Sequence, residues 1–335
     1  MKTINKRRAA LVLLAALAGW TAPARAAESE GLTIGLIASS TAEQVVAEWQ
    51  PLADALAREL KQPVQLYASK NYNEVAEALK AGRIQVAWLN NQQSIELVEK
   101  DIANVFAQGV RLDGSLGYKS LLLVRADSPL KSLADLLAKP GAYTLSMGGK
   151  TSVSGYLAPA YYAFAKGRVD PEKSFKQVSY GRSHHENFLA LTDGKAELVT
   201  NNTEEVPRYE AEFAERWKKV RVLWESPLIP NDPLVMRKDV AQDTQQRVRR
   251  FFTSYGRTES EKATLKAING LSGYRASSNY QLRPVVDLEL FDRLTKAMAL
   301  QSQDPAGFQV TMDQLTQRAG RLEAVLSASR LTLGR

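Results

Sequence analysis

Residues 32–89 read LTIGLIASSTAEQVVAEWQPLADALARELKQPVQLYASKNYNEVAEALKAGRIQVAWL, and this stretch decides the fold. Short apolar, partly β-branched runs at Leu32–Ile37, Val64–Tyr67 and Ile84–Leu89 predict three strands. Helical patterns separate these runs, so the order is strand, helix, strand, helix, strand. This order predicts an α/β protein with a mainly parallel sheet and helices on both faces.

The two helices are indicated by the spacing of their apolar residues. The first buries Val45 and Trp49, and then the apolar residues three, four and seven positions after Trp49. The second covers Tyr72–Lys80, and Gly82 stands where a glycine ends a helix.

A second block of alternating elements follows. Its predicted elements are the strand Leu121–Val124, a helix near Leu133–Leu137, the strand Tyr143–Ser146, the helix Gly155–Lys166, and the strands Gln177–Tyr180, Glu197–Thr200 and Val220–Trp224. We expect the chain to cross into this block near Arg125–Pro129, because the residue before a proline favours extended backbone. Three prolines in residues 226–233 indicate a rigid return. Leu234–Met236 then resumes a strand, and the chain from Gln242 onward is helical in pattern.

Inserting the second block into the first predicts a hinged two-lobed binding protein. Each lobe is a sheet flanked by helices, and two crossing segments join the lobes. Residues 27–123 plus 234–335 form lobe one, and residues 124–233 form lobe two. Such lobes close around a ligand, and the ligand crevice of open α/β sheets lies beyond the carboxyl ends of the strands.

The N-terminus has the pattern of a secretory signal peptide over residues 1–26. Four basic residues among the first eight precede the apolar run Ala9–Trp20, and Ala24-Arg25-Ala26 supplies small residues for cleavage after Ala26. Cleavage removes five basic residues and no acidic one, which lowers the formal net charge from +8 to +3. This small charge no longer indicates a nucleic-acid partner. The chain has no cysteine for lipid attachment and no apolar run of ~18 residues. These features predict a soluble exported protein.

A polar segment between a predicted strand and a helix is the first candidate site. Ser146–Gly155 is rich in Gly, Ser and Thr, and hydroxyls of Thr151, Ser152 and Ser154 would surround the helix N-terminus. Helix N-termini attract anions, although Ser and Thr are also ordinary helix caps. A nucleotide P-loop is rejected, because Thr144 stands where that motif requires glycine.

The remaining candidates are two histidines and two carboxylates. His184 and His185 are adjacent and have no Cys or further His beside them, so we expect no metal site. His184, at a strand end, would either donate to an oxyanion or be solvated. Glu204 and Asp232 would either accept hydrogen bonds from a ligand ammonium or cap helices and pair on the surface. A Ser152, His184 and Asp232 hydrolytic triad lacks the G-x-S-x-G elbow that such enzymes use.

Taken together, several segments resemble the periplasmic phosphonate-binding proteins of ABC transporters (the PhnD family). The resemblance is densest at Ile84–Trp88, Val105–Gln108, Asp113–Tyr118, Ser154–Pro159, Thr200–Glu204 and Ser226–Pro233. It implies a type II-like periplasmic binding protein that has no enzymatic activity, cofactor or metal. It also implies that the protein captures an organophosphonate in the periplasm and delivers it to an ABC permease in the inner membrane.

The same resemblance implies roles for individual residues. The phosphonate would bind at the helix start. The residues that would contact it are Thr151, Ser152, Val153, Ser154 and His184. Tyr72 and Tyr118 would line the cleft, and Glu204 and Asp232 would hold the amino end of a ligand such as 2-aminoethylphosphonate. Two departures are Val153, where the family commonly has Thr, and Leu89-Asn90, where it often has Tyr-Gly.

Other functions remain open at this level. The ligand would alternatively be phosphite, phosphate or another oxyanion, since Val153 and Leu89 change the family pattern. A periplasmic serine hydrolase that uses Ser152 and a sensor domain with a signalling partner are further alternatives. The sequence does not determine the oligomeric state.

Overall fold

A computed structural model of the chain describes residues 31–38 and 41–332, without the side chains of Tyr72 and residues 330–332. The predicted signal peptide, with its cleavage after Ala26, lies outside the described residues. Across the described part of the chain, no helix is long and apolar enough to cross a membrane.

The first sheet has six strands in the order β13-β4-β12-β3-β1-β2. Its strands are β1 (Leu32–Ile37), β2 (Val64–Ser69), β3 (Val86–Trp88), β4 (Ala103–Arg111), β12 (Pro233–Arg237) and β13 (Leu271–Ala276). The three strands of the N-terminal block pair in parallel. β12 lies antiparallel between β3 and β4, and β13 is antiparallel to β4. The sheet is therefore mixed rather than mainly parallel, because the chain that returns from the second block runs against its neighbours.

The second sheet has five strands in the order β10-β6-β9-β7-β8. Its strands are β6 (Ser120–Arg125), β7 (Thr144–Gly148), β8 (Gln177–Gly181), β9 (Leu198–Asn202) and β10 (Val220–Glu225). All of β6 pairs inside this sheet, with β9 and β10. The expected boundary between residues 123 and 124 therefore falls within a strand of the second sheet, and Arg125–Pro129 is not where the chain crosses.

The crossing lies earlier, in a short ribbon between the two sheets. β5 (Gly117–Tyr118) pairs antiparallel with β11 (Ile229–Pro230), so the outgoing and returning segments run side by side. A Cβ at Gly117 would lie 2.0 Å from the carbonyl oxygen of Ile229, so only glycine permits this approach. Two lobes, each a sheet flanked by helices, are thus joined by two crossing segments.

Helices cover both faces of each sheet. Those of the first lobe are α1 (Ala42–Leu60), α2 (Tyr72–Lys80), α3 (Asn91–Glu99), α9 (Gln242–Ser254), α10 (Glu259–Ala267), α11 (Arg283–Leu300) and α12 (Pro305–Thr332). Those of the second lobe are α4 (Leu133–Ala138), α5 (Pro171–Ser174), α6 (His184–Thr192), α7 (Val206–Glu212), α8 (Ala214–Trp217), and a helix with i→i+5 hydrogen bonds, Val153–Leu157 and Pro159–Ala165, which we call the π-helix.

The predicted helices are confirmed for α1 and α2, and the helical prediction is wrong for part of the C-terminal region. α1 buries Val45, Trp49 and the three following apolar positions, and α2 has the expected limits. The region from Gln242 is not wholly helical, because it contains the edge strand β13. Only two of its six residues are buried, and they lie three positions apart, so β13 lacks the alternation that predicts a strand. Leu322 and Leu326 of α12 are buried against the first lobe of the same chain.

Candidate functional site

The π-helix begins in direct contact with the end of β7. A Cβ at Gly148 would lie 2.8 Å from the Cα of Gly155, so the absence of side chains lets the strand end touch the helix start. Thr200 of β9 holds both segments, since its Oγ1 donates to the carbonyl oxygen of Gly155 (2.8 Å) and accepts from the N–H of Gly148 (2.9 Å). The helix start is therefore fixed at the carboxyl ends of two neighbouring strands.

Hydroxyl groups surround this helix start. Ser152 caps the helix, since its Oγ accepts from the N–H of Gly155 (3.0 Å), and its hydroxyl hydrogen has no acceptor among the described residues. The Oγ of Ser154 lies 3.1 Å from Nε2 of His184 and accepts a hydrogen bond from Nδ2 of Asn202 (3.3 Å). Thr151 is exposed. The half-buried Val153 packs against an apolar cluster that lies mainly in the first lobe.

His184 opens α6 and faces the π-helix. Burial lowers the pKa of His184 to about 4, against a smaller opposing effect of the Thr200 backbone, so the ring is neutral at pH 7. A neutral imidazole has one donor nitrogen and one acceptor nitrogen. The ring of His185 points elsewhere, because it packs 4.9 Å from the ring of Phe213.

Two carboxylates lie near the crossing ribbon. Glu204 follows β9; its N–H donates to Oδ1 of Asn202 (3.0 Å), and its Oε1 accepts from Nη1 of Arg111 (2.8 Å). Asp232 follows β11, and its Oδ1 accepts from the N–H (3.1 Å) and Nδ2 (3.0 Å) of Asn91. Each carboxylate is thus held by hydrogen bonds to one of its two oxygens.

The protonation of this pair follows from its surroundings. Burial, with the charge of Glu204, raises the pKa of Asp232 to about 8, although the Asn91 N–H opposes the shift. Burial also raises the pKa of Glu204, and Arg111 opposes this; 39% of its side-chain surface is exposed, so water screens it more than Asp232. Burial raises the pKa of Tyr118, and the charges of Asp232 and Glu204 raise it further.

One cavity contains these groups. Its lining consists of Trp49, Trp88, Gly109, Arg111, Tyr118, Glu204, Asn231, Asp232, Ile268, Asn269, Leu271 and Tyr274. The structure therefore brings Tyr118, Glu204 and Asp232 together. The hydroxyl cluster does not line this cavity but meets it through Asn202, whose amide contacts Ser154 at one end and the N–H of Glu204 at the other.

Two expectations about this region change. Leu89 is fully buried and Asn90 caps α3, accepting from the N–H of Gln93 (2.9 Å), so this departure lies in the core and not in the cavity lining. The Ser152, His184 and Asp232 triad is not assembled: Ser152 caps a helix, and no carboxylate of the described residues lies within ion-pair distance of His184. The backbone of Tyr72 begins α2, and its side chain lies outside the described residues.

Sequence reasoning missed two residues at this site. Asn202 joins the hydroxyl cluster to Glu204, and it lies within the Thr200–Glu204 segment that carries part of the resemblance. Arg111 pairs with Glu204 although 93 positions separate the two in the chain. The Asp113-Gly114 turn after β4 is the one local signal that this residue ends a strand.

The chain is similar to known periplasmic binding proteins. The family described as "ABC transporter, phosphonate, periplasmic substrate-binding protein" matches residues 34–282. The phosphonates-binding periplasmic protein of Escherichia coli (strain K12) is 34% identical over 316 residues, which cover 92% of this chain and 93% of that protein. The chain belongs to the periplasmic phosphonate-binding proteins of ABC transporters. This family consists of substrate-binding transport proteins, and not of enzymes.

Solved structures agree with this family fold. The binding protein component of an ABC phosphonate transporter from Pseudomonas aeruginosa is 31% identical, with a TM-score of 0.67; the match covers 88% of this chain and 98% of that one. PhnD1 from Prochlorococcus marinus in complex with methylphosphonate is 17% identical, with a TM-score of 0.62, and covers 77% of this chain and 96% of its own. At this identity the second match shows a shared fold.

Proposed function

We propose that this family member captures 2-aminoethylphosphonate between its lobes and delivers it to an inner-membrane permease, without catalysis. The single observation that carries the proposal is the arrangement of the site, in which uncharged donors and two carboxylates meet through Asn202. The protein would be exported to the periplasm with its signal peptide removed after Ala26.

The hydroxyl cluster suits the phosphonate end of this ligand. A phosphonate is an anion, and the helix N-terminus attracts it through the unpaired N–H groups and partial positive charge of the first turn. Ser152 adds a hydroxyl donor. The pair of Ser154 and neutral His184 adds one more, because their mutual hydrogen bond uses one hydrogen and leaves either the Ser154 hydroxyl or the ring N–H for the ligand. The N–H groups of Thr151 and Val153 complete the cradle. Val153 supplies no side-chain donor, which distinguishes this cradle from the common family pattern.

The carboxylate end suits an ammonium group. Glu204, Asp232 and Tyr118 line one cavity. An ammonium ion donates hydrogen bonds to both carboxyl groups and favours their ionised forms. Inorganic phosphate has no cationic group to place between them, so these carboxyl groups favour the aminoalkylphosphonate over phosphate.

Titration calorimetry with 2-aminoethylphosphonate and ethylphosphonate tests the proposal, because the two ligands differ only in the amine. We expect Glu204→Gln to weaken 2-aminoethylphosphonate by about 10- to 100-fold, the value of a hydrogen bond to a charged group. Ethylphosphonate should change by less than about threefold. Equal losses for both ligands would refute the ammonium role, and a wild-type protein that binds neither ligand would refute the proposed function.

A second candidate is the binding of an oxyanion without an amine, such as phosphite or phosphate. The ion pair of Arg111 with Glu204 favours it, because one of the two carboxylates already has a cation. The same calorimeter decides between the candidates: phosphite or phosphate that binds more tightly than 2-aminoethylphosphonate would support the second one.

A further inference from the structure

Arg111 is the cation that faces the carboxylate end of the cavity. It is the last residue of β4 in the first lobe, and its Nη1 lies 2.8 Å from Oε1 of Glu204, which follows β9 in the second lobe. Both residues line the cavity that contains Asp232 and Tyr118. The ion pair therefore joins the lobes at the place where the ligand's amine would lie.

The charges of the ligand-free cavity are already balanced. Glu204 has the guanidinium of Arg111 as its partner. Asp232, with a pKa of about 8, holds its proton at pH 7 for most of the time. An entering ammonium group therefore meets no uncompensated negative charge, and it must compete with Arg111 for Glu204.

Resting on the proposed function, we propose that Arg111 determines how strongly this site prefers a cationic phosphonate over one with an uncharged tail. Arg111 acts as an internal cation on Glu204, and the ligand's ammonium displaces it. A ligand without an amine leaves the ion pair of Arg111 and Glu204 in place, so its affinity is not reduced by this competition. Arg111 thus lowers the selectivity for amines that two free carboxylates would impose.

The displaced guanidinium has a second partner close by. Asp113 lies two residues further along the turn after β4; hydrogen bonds from Ser115 lower the pKa of Asp113, and the charge of Arg111 lowers it further. Asp113 is exposed, so a guanidinium that moves towards it stays hydrated. Displacement of Arg111 therefore leaves no buried, unpaired charge.

Arg111→Met removes the charge and keeps most of the side-chain length. In calorimetry at pH 7, we expect the ratio of the ethylphosphonate Kd to the 2-aminoethylphosphonate Kd to rise by about tenfold relative to wild type, the effect of one close charge pair. Arg111→Lys keeps the cation, so its ratio should stay within about threefold of wild type. Arg125→Met is the matched control, because it removes an exposed arginine that pairs with Asp127 away from the cavity.

The outcomes separate this inference from the proposed function. If wild type prefers 2-aminoethylphosphonate and the ratio is unchanged in Arg111→Met, this inference alone fails. If both ligands weaken equally in Arg111→Met, the arginine contacts the phosphonate and the inference fails again. If wild type binds neither ligand, the proposed function and this inference both fail. Thermal unfolding checks that the variants are folded, and Arg111→Gln, with the same expected rise, replaces Arg111→Met if that variant is not.

Discussion

The two ends of the candidate site are built differently. The hydroxyl cluster belongs to the second lobe alone, where the π-helix, α6 and β9 supply Ser154, His184 and Asn202. The carboxylate end takes Glu204 from the second lobe, Asp232 from the returning segment and Arg111 from the first lobe. An end within one lobe is preorganised, whereas an end shared by two lobes depends on their relative position. We infer that the anion end supplies affinity and that the shared end supplies selectivity on closure.

Breaking the preorganised end should abolish binding of every phosphonate. In Gly155→Ala the new Cβ would lie 2.8 Å from both Cα of Gly148 and Oγ of Ser152, which forces the helix start away from β7. We expect a loss of about 1–3 kcal/mol of unfolding free energy and no detectable binding in calorimetry. Gly149→Ala is the matched control, because a Cβ there meets no atom within 4 Å. Normal affinity in Gly155→Ala would contradict a rigid cradle.

Removing one hydroxyl should weaken the anion end without changing selectivity. Ser154→Ala deletes the group that contacts His184 and Asn202. We expect 2-aminoethylphosphonate and ethylphosphonate to lose affinity by the same factor, about tenfold. The comparison with Glu204→Gln, which should affect the amine alone, separates the two ends. A loss confined to 2-aminoethylphosphonate would show that Ser154 belongs to the amine end.

The shared end should also respond to pH. An ammonium bound at Asp232 favours the carboxylate, so binding releases the proton that Asp232, with a pKa of about 8, holds in the ligand-free protein. Between pH 7 and pH 8 the free energy needed to remove this proton falls, so 2-aminoethylphosphonate binds more tightly. The ratio of the ethylphosphonate Kd to the 2-aminoethylphosphonate Kd should therefore rise by about fivefold. Glu204, Arg111 and Tyr118 face the same space. Arg111 opposes the rise in the pKa of Glu204, and the pKa of Tyr118 is raised, so Asp232 dominates this range. A ratio that is flat or falls over this range would contradict the role of Asp232.

The sequence predicts the periodic elements of the fold and misses those without a period. α1, α2 and the strands of the first block have clear apolar spacing. β5 and β11 have two residues each, and β13 buries only two side chains, so none of them has a readable pattern. The lobe boundary is misplaced because the chain passes from β5 into β6 in one nearly continuous extended run.

In the candidate site, too, some residues can be predicted from the sequence and others cannot. Glu204, Asp232 and Tyr118 could be named from the resemblance to a family, since they stand in the contiguous segments that carry it. His184 could be named from its ungapped spacing to Glu204. Arg111 could not, because its role depends on a contact with Glu204 across 93 positions and between two sheets. No local pattern contains such a pair. Candidate residues that stand in such segments are therefore easier to predict than a residue whose proposed role depends on a distant partner.

The orientation of the bound ligand tests the central claim most directly. A crystal structure of the protein with 2-aminoethylphosphonate should place the phosphonate oxygens against Ser152, Ser154 and His184, and the amine between Glu204 and Asp232. A ligand bound in the reverse orientation, or outside the space between these two groups, would contradict the account.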